Sequence, residues 1–239
     1  MFAIKKNIII FSVAVLMLTA CAAGKRVNVL VPDGSETFLL MDFGKPFPLD
    51  PLPDGWHHQK FLRHPPMDMS FVTKDNKPSL RIHTKDSASM LFRHVNVPLD
   101  SYPLISWYWY IEKPVESEID ERTFQGDDHP ARYYLDFKAP DGETHAMELI
   151  WGNKALKAGD WKHLESFWGL YSFPHYVVNG GNENTGKWFH EKVDLSALYR
   201  KLWGDHKGVR LMVIAIFCDT DETGKESVVY FSNVRAEKH

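Results

Sequence analysis

The stretch Arg210 to Arg235 reads RLMVIAIFC, then DTDETGKE, then SVVYFSNVR. Two apolar runs flank a turn in which Asp219, Asp221 and Gly224 supply residues that tolerate tight-turn dihedrals, so the stretch predicts strand, turn and strand. Outward from it the same grammar repeats. Runs at Met69–Thr73, Ser79–His83, Ser89–Val95, Ile105–Ile111, Arg132–Phe137, His145–Trp151 and Lys162–Ser166 read as strands, with turn chemistry at 74–78 and 139–142. Val27–Val31 reads as a possible lead-in strand. The single helix expected is Asp194–Trp203: Asp194 suits an N-cap, Leu195, Leu198, Tyr199 and Leu202 share a face, and Gly204 terminates it. Many short strands and one helix predict an all-β chain, a jelly-roll β-sandwich with a short helix near 194–203.

The first twenty residues have the parts of an export signal: Lys5 and Lys6, an apolar run from Ile8 to Leu18, and small residues after it. The run is too short for a permanent span, which takes about 20 apolar residues. Leu18-Thr-Ala-Cys21 resembles the lipobox of bacterial lipoproteins. That resemblance implies cleavage before Cys21 and lipid on its sulfur, and two or three acyl chains make a durable anchor. Ala22 is not the aspartate that favours inner-membrane retention, so the expected place is the outer membrane, with the folded part in the periplasm or at the cell surface. The expected division is a signal at 1–20, lipidated Cys21 and a tether at 21–40, and one sandwich at 41–239.

The signal holds two of the 28 basic residues, which leaves 26 against 31 acidic ones and argues against a nucleic-acid partner. With Cys21 lipidated, Cys218 is the one remaining thiol, expected as a small buried hydrophobe. Eight Trp, nine Tyr and fifteen Phe suit either a thick core or a sugar-stacking surface. Trp107 and Trp109 alternate with Tyr108 and Tyr110, so one pair faces the core and the other faces a groove or a covering segment.

Several short stretches resemble a bacterial family known as domain of unknown function 3047. They are Leu52-Pro-Asp-Gly-Trp56, Ser87-Ala-Ser89, Trp107-Tyr-Trp109, Gly126-Asp-Asp128 with Ala131-Arg132, Ile150-Trp-Gly-Asn153, Asn184-Thr-Gly-Lys-Trp188 and Ile214 to Gly224. The family lends no established activity. Its Gly-Trp entry, Ser-Ala-Ser strand and Trp-x-Trp strand are similar to galactose-binding-like and other carbohydrate-binding jelly rolls, an analogy of fold that does not fix function. His129-Pro130, where the family often has a hydrophobic residue, departs from the pattern and reshapes the loop.

Asp127 and Asp128 precede the strand that begins at Arg132, and Asp219 and Asp221 follow the strand that ends at Cys218. If those strands are antiparallel neighbours, the four acids share one end of the sheet. Three roles then compete: ion pairing with Arg132, a bound Ca²⁺ at Asp127, Asp128, Asp219 and Asp221, or paired carboxylates for glycoside hydrolysis drawn from Asp128, Glu148 and Asp219. The 219–224 turn starts like an EF-hand loop and fails at its fifth and twelfth positions, Thr223 and Tyr230. The twelve histidines are scattered without zinc spacing, which favours solvated or strand-edge positions; no Gly-x-Ser-x-Gly occurs.

The leading expectation is a lipid-anchored jelly roll that binds a carbohydrate or another envelope ligand without transforming it. Asp127, Asp128, Arg132, Asp219 and Asp221 grip hydroxyls or an ion, and Trp151 offers a ring face; no catalytic residue is assigned. A glycan hydrolase and an assembly component of the envelope are the alternatives.

Overall fold

The computed structural model describes residues 27–165 and 172–239; the signal, Cys21 and Ser166 lie outside the described residues. Among the described residues, thirteen strands form two sheets. In chain order they are β1 (Thr37–Met41), β2 (His57–Lys60), β3 (Asp68–Lys74), β4 (Lys77–Lys85), β5 (Ala88–Pro98), β6 (Leu104–Lys113), β7 (Arg132–Lys138), β8 (Thr144–Gly152), β9 (Trp161–Glu165), β10 (Ser172–Gly180), β11 (Trp188–Asp194), β12 (Arg210–Asp219) and β13 (Glu226–Glu237), with helix α1 (Leu195–Trp203). One sheet runs β11-β6-β13-β4-β3 with β1 also on β13; the other runs β2-β5-β12-β7-β8-β10-β9. Every pair is antiparallel except β8 with β10. The chain is a jelly-roll β-sandwich, as the spacing of apolar runs predicts.

Alternation sets the core. Tyr133, Leu135 and Phe137 of β7 stand opposite Leu149, Met147 and the start of β8 on one side and Ile216 and Ile214 of β12 on the other. All of these named side chains face Trp107, Trp109, Leu80, Ile82 and Phe231 of the other sheet within one buried cluster. Burying each large side chain contributes roughly 1.5–3 kcal/mol, and the Trp107, Trp109 and Tyr133 rings add edge contacts with centroids 5.0–5.2 Å apart. The Trp pair therefore faces inward. Tyr108 and Tyr110 lie on the outer face of the six-stranded sheet, where Tyr108 stacks on His190 at 4.2 Å and Tyr110 meets Trp188 and Tyr230 edge-on.

Helix α1 matches its expectation: the Asp194 side chain accepts from Ala197 N, and Gly204 ends it at φ 93°. Tyr199 packs on Phe137 and Trp203 stacks on His145, so α1 closes the end of the sandwich where β7 finishes. Val27–Val31 forms no strand of its own; Leu30 alone bridges to Val95, because the flanking residues find no second row of partners. Cys218 is fully buried and burial pushes its thiol well up, as a packing residue requires. The adjacent His57 and His58 sit on the edge strand β2, against Phe92 and Ser89.

Candidate functional site

The end of the sandwich opposite α1 carries the charged residues. Strands β7 and β12 are antiparallel neighbours with Phe217 opposite Arg132, so the loop before β7 and the loop after β12 do meet. The loop before β7 is drawn tight at Gly126, where a Cβ would fall 2.4 Å from the Asp120 carbonyl oxygen. That close approach fixes the two aspartates that follow.

They point to different partners. Asp127 turns toward the outer face of the seven-stranded sheet, where Lys162 Nζ donates to its Oδ1, Arg132 Nη1 lies 3.7 Å from Oδ2 and His175 Nε2 lies 3.7 Å away. Asp128 turns toward the loop after β12 and accepts from Glu222 N at 3.2 Å, from Thr223 N at 2.8 Å and from the Thr223 hydroxyl. Arg132, itself 1 % exposed, lies at the centre. Its guanidinium reaches Glu148 Oε2 at 3.0 Å, Asp219 Oδ2 and the Asp127 carbonyl at 2.7 Å, and it stacks over the Phe217 ring at 4.3 Å. The expected arginine partner is thus real, but its donors are divided among three elements rather than held bidentate on one carboxylate.

The remaining balance comes from Glu148, expected as a catalytic carboxylate and found here in ion pairs, and from Lys162 and His175, which sequence reasoning missed. Glu148, Lys162 and His175 form one row across β8, β10 and β9, because His175 stands opposite both Glu148 and Lys162. His175 Nε2 is 3.0 Å from Glu148 Oε2. Lys162 also donates to the Glu121 carbonyl at 2.7 Å and lies 3.1 Å from His129 Nε2. The His129 Nδ1 faces the Trp151 carbonyl at 2.9 Å. A carbonyl only accepts, so Nδ1 carries the proton and Nε2 accepts from Lys162. Burial first, and Lys162 next, push His129 down to about 4, which keeps it neutral. The Glu121 carboxylate accepts from the backbone N–H of Asn153, Lys154, Ala155 and Leu156, closing the turn after β8.

Electrostatics divide this cluster in two. Burial alone would raise Asp127 and Glu148, but Arg132 and His175 beside them outweigh it and hold both below the usual carboxylate range. Burial, reinforced by neighbouring carboxylates, raises Asp219 and Asp221 despite Arg132 and His64, and pushes Glu222 up to about 12. Oxygens of Asp128, Asp219, Asp221 and Glu222 lie within 4.8 Å of one another. The predicted calcium set is therefore modified: Asp127 belongs to the cationic half, and Glu222 takes its place in the acidic one.

Two further expectations are corrected. Trp151 is fully buried, edge-on to Trp109 and Phe189, so it offers no ring face to a ligand. Asp127, Asp128, Arg132 and Asp219 do not stand open to grip hydroxyls; Asp128, Arg132 and Asp219 are at most 2 % exposed, and Asp127 is closed off by Lys162 and Arg132. The open space lies next to the cluster. A cavity of about 750 Å³ is lined by Glu118, Asn153, Lys154, Asn179, Gly181 and Asn182, among others, at the ends of β8 and β10. Asn179, at a register irregularity after Val177, is one of the lining residues. It donates to Glu191 Oε1 at 2.9 Å and accepts from Gly180 N at 2.8 Å, which fixes its orientation. Asn153 is the wall common to cluster and cavity. Its Nδ2 donates to the Asp128 carbonyl at 2.7 Å, while its Oδ1 is buried and has no partner.

No curated protein matches the chain by sequence. Three solved structures of similar fold are distant in sequence. The family 30 carbohydrate-binding module of a cellulosomal cellulase from Clostridium thermocellum is 11 % identical with a TM-score of 0.42, over 83 % of this chain and 95 % of that one. The xyloglucanase domain of NopAA, a type three effector from Sinorhizobium fredii, is 13 % identical with a TM-score of 0.43, over 78 % and 94 %. Endoglucanase cel12A from Rhodothermus marinus is 10 % identical with a TM-score of 0.42, over 77 % and 92 %. These likenesses concern the fold alone. By sequence, the family described as protein of unknown function DUF3047 matches residues 54–235, a span that includes every site residue above, and the chain belongs to that family.

Proposed function

We propose that this chain is an exported lipoprotein, lipidated at Cys21 and held on the outer membrane, whose sandwich binds a saccharide in the end cavity without transforming it. The observation that carries the reading is the cavity itself: about 750 Å³, open, and lined by Asn153, Asn179, Asn182 and Asn184 with Gly180 and Gly181, alongside the charged Glu116, Glu118, Glu183, Lys154 and Lys157. Sugar hydroxyls both donate and accept, and a carboxamide offers an acceptor and two donors in one plane without a charge that the ligand must neutralise. The exposed Glu118–Lys154 pair, at 3.0 Å, marks the rim.

Binding is favoured over hydrolysis because the three acids considered for catalysis lie away from the cavity, where the carboxylates are instead those of Glu116, Glu118 and Glu183. Glycoside cleavage needs two carboxyl groups flanking the scissile bond. Asp128, Glu148 and Asp219 are instead packed against donors inside the fold, each at most 2 % exposed. The reading is tested by affinity measurements of the full chain against soluble envelope and plant oligosaccharides. Wild-type binding that Asn182→Ala weakens at least tenfold supports it, and an absence of binding across the panel overturns it. Fractionation of expressing cells tests the anchor: Cys21→Ser is expected to move the protein from the membrane to the soluble fraction.

A further inference from the structure

The four carboxylates of Asp128, Asp219, Asp221 and Glu222 come from the two loops that meet beyond β7 and β12, and their oxygens lie within 4.8 Å of one another. Such crowding is costly in a dry site unless something positive or a shared proton sits among the oxygens. Two independent observations say that the set is incomplete. The Asp221 side chain is only 3 % exposed, yet its Oδ1 is buried without a partner, and so is Glu222 Oε2. The nearby cations are also committed elsewhere: Lys162 bonds Asp127 and the Glu121 carbonyl, and His175 faces Glu148 at 3.0 Å. Arg132 itself is already shared among Asp127, Glu148 and Asp219.

We propose that Asp128, Asp219, Asp221 and Glu222 bind one Ca²⁺, which joins the loop before β7 to the loop after β12. The donors are all hard oxygens, the kind that suit this ion. Oxygens that all lie within 4.8 Å of one another can surround one ion, and a set drawn from two loops suits the flexible coordination of Ca²⁺ better than the near-ideal octahedron that Mg²⁺ demands. The fold already holds two of the carboxylates in place, since Glu222 N, Thr223 N and the Thr223 hydroxyl bond the oxygens of Asp128, and His129 N and Arg132 bond those of Asp219, so an ion would take the lone pairs that these donors leave. The site differs from an EF-hand, since its ligands come from two distant loops and not from one run of twelve. It does not depend on the saccharide reading, because none of its four residues lines the cavity.

The test is calorimetric and thermal titration of the full chain, stripped with EDTA, using CaCl₂ alone. The expected result is one Ca²⁺ per chain, with a rise in Tm of about 5–10 °C at a hundredfold excess over Kd and a smaller rise with MgCl₂. Asp221→Asn and Glu222→Gln should each remain folded by circular dichroism and bind Ca²⁺ at least tenfold more weakly. Glu118→Gln, at the cavity rim, should leave the calcium response unchanged. No heat and no shift in Tm up to 10-millimolar-scale CaCl₂ would mean that the carboxylates share protons instead, and would overturn the proposal. An equal response to MgCl₂ would overturn the assignment to calcium.

Discussion

Two regions share one end of this sandwich and the side chain of Asn153, and they solve opposite problems. The cluster around Arg132 is closed: charges from β7, β8, β9, β10 and β12 satisfy one another almost entirely inside the fold. The cavity beyond the 153–156 turn is open, and asparagines and glycines line it together with Glu116, Glu118, Glu183, Lys154 and Lys157. Sequence draws the eye to the acids, because charge stands out in a β protein. The structure assigns them to holding loops in place, while the residues able to meet a neutral polar ligand are four asparagines of ordinary appearance. Charge density marks where the fold is stapled, and the less conspicuous amides mark where it is accessible.

The largest effect should come from the centre of the closed region. Arg132→Met leaves Asp127, Glu148 and Asp219 without their shared cation in a dry site, and should cost about 3–5 kcal/mol in urea unfolding. Next comes Glu148→Gln, which removes the charge from contacts with Arg132 and His175 and should cost about 2–3 kcal/mol at pH 7. The same variant carries a pH signature. Because the folded state holds Glu148 below its ordinary value of 4.5, its contribution is present above that pH and is lost as pH falls toward the folded value. Stability curves of wild type and Glu148→Gln should therefore converge below about pH 4.5.

The acidic half should respond with the opposite sign. In metal-free protein, Glu222→Gln removes one of four crowded carboxylates and should leave stability unchanged or raise it by about 1 kcal/mol. Loss of stability there equal to that of Glu148→Gln would erase the distinction between the two halves. The smallest effect on folding belongs to the open region: Asn182 is exposed, and Asn182→Ala should change stability by less than about 0.5 kcal/mol.

Much of the fold was legible because it rests on local patterns. Nine apolar runs became β3 to β9, β12 and β13, and the cap and stop of α1 were both in place. Of the strands that sequence reasoning missed, β1 is the apolar run Thr37–Met41, which lay mostly in the stretch expected as a tether and instead pairs with β13, and β11 opens on Trp188-Phe189; β2 and β10 lack the pattern. Strand β2 is His57-His-Gln-Lys60, an edge strand with no apolar residue, and β10 carries Pro174 and pairs in parallel with β8 through an irregular register. The meeting of the two acidic loops followed from strand adjacency. What compensates them did not, since Lys162 and His175 reach Asp127 and Glu148 through the order β7-β8-β10-β9, which no local signal encodes. The burial of Trp151 was available from alternation, as it shares a face with Met147 and Leu149.

The account's central claim is that the ligand site is the amide-lined cavity and not the charged cluster beside it. The direct measurement is the affinity of wild type and Asn182→Ala for the same soluble oligosaccharide, with Tm recorded on both. The claim predicts a dissociation constant at least tenfold higher for the variant at unchanged Tm. Equal affinities for the two proteins, or a wild type that binds no member of the panel, would contradict it.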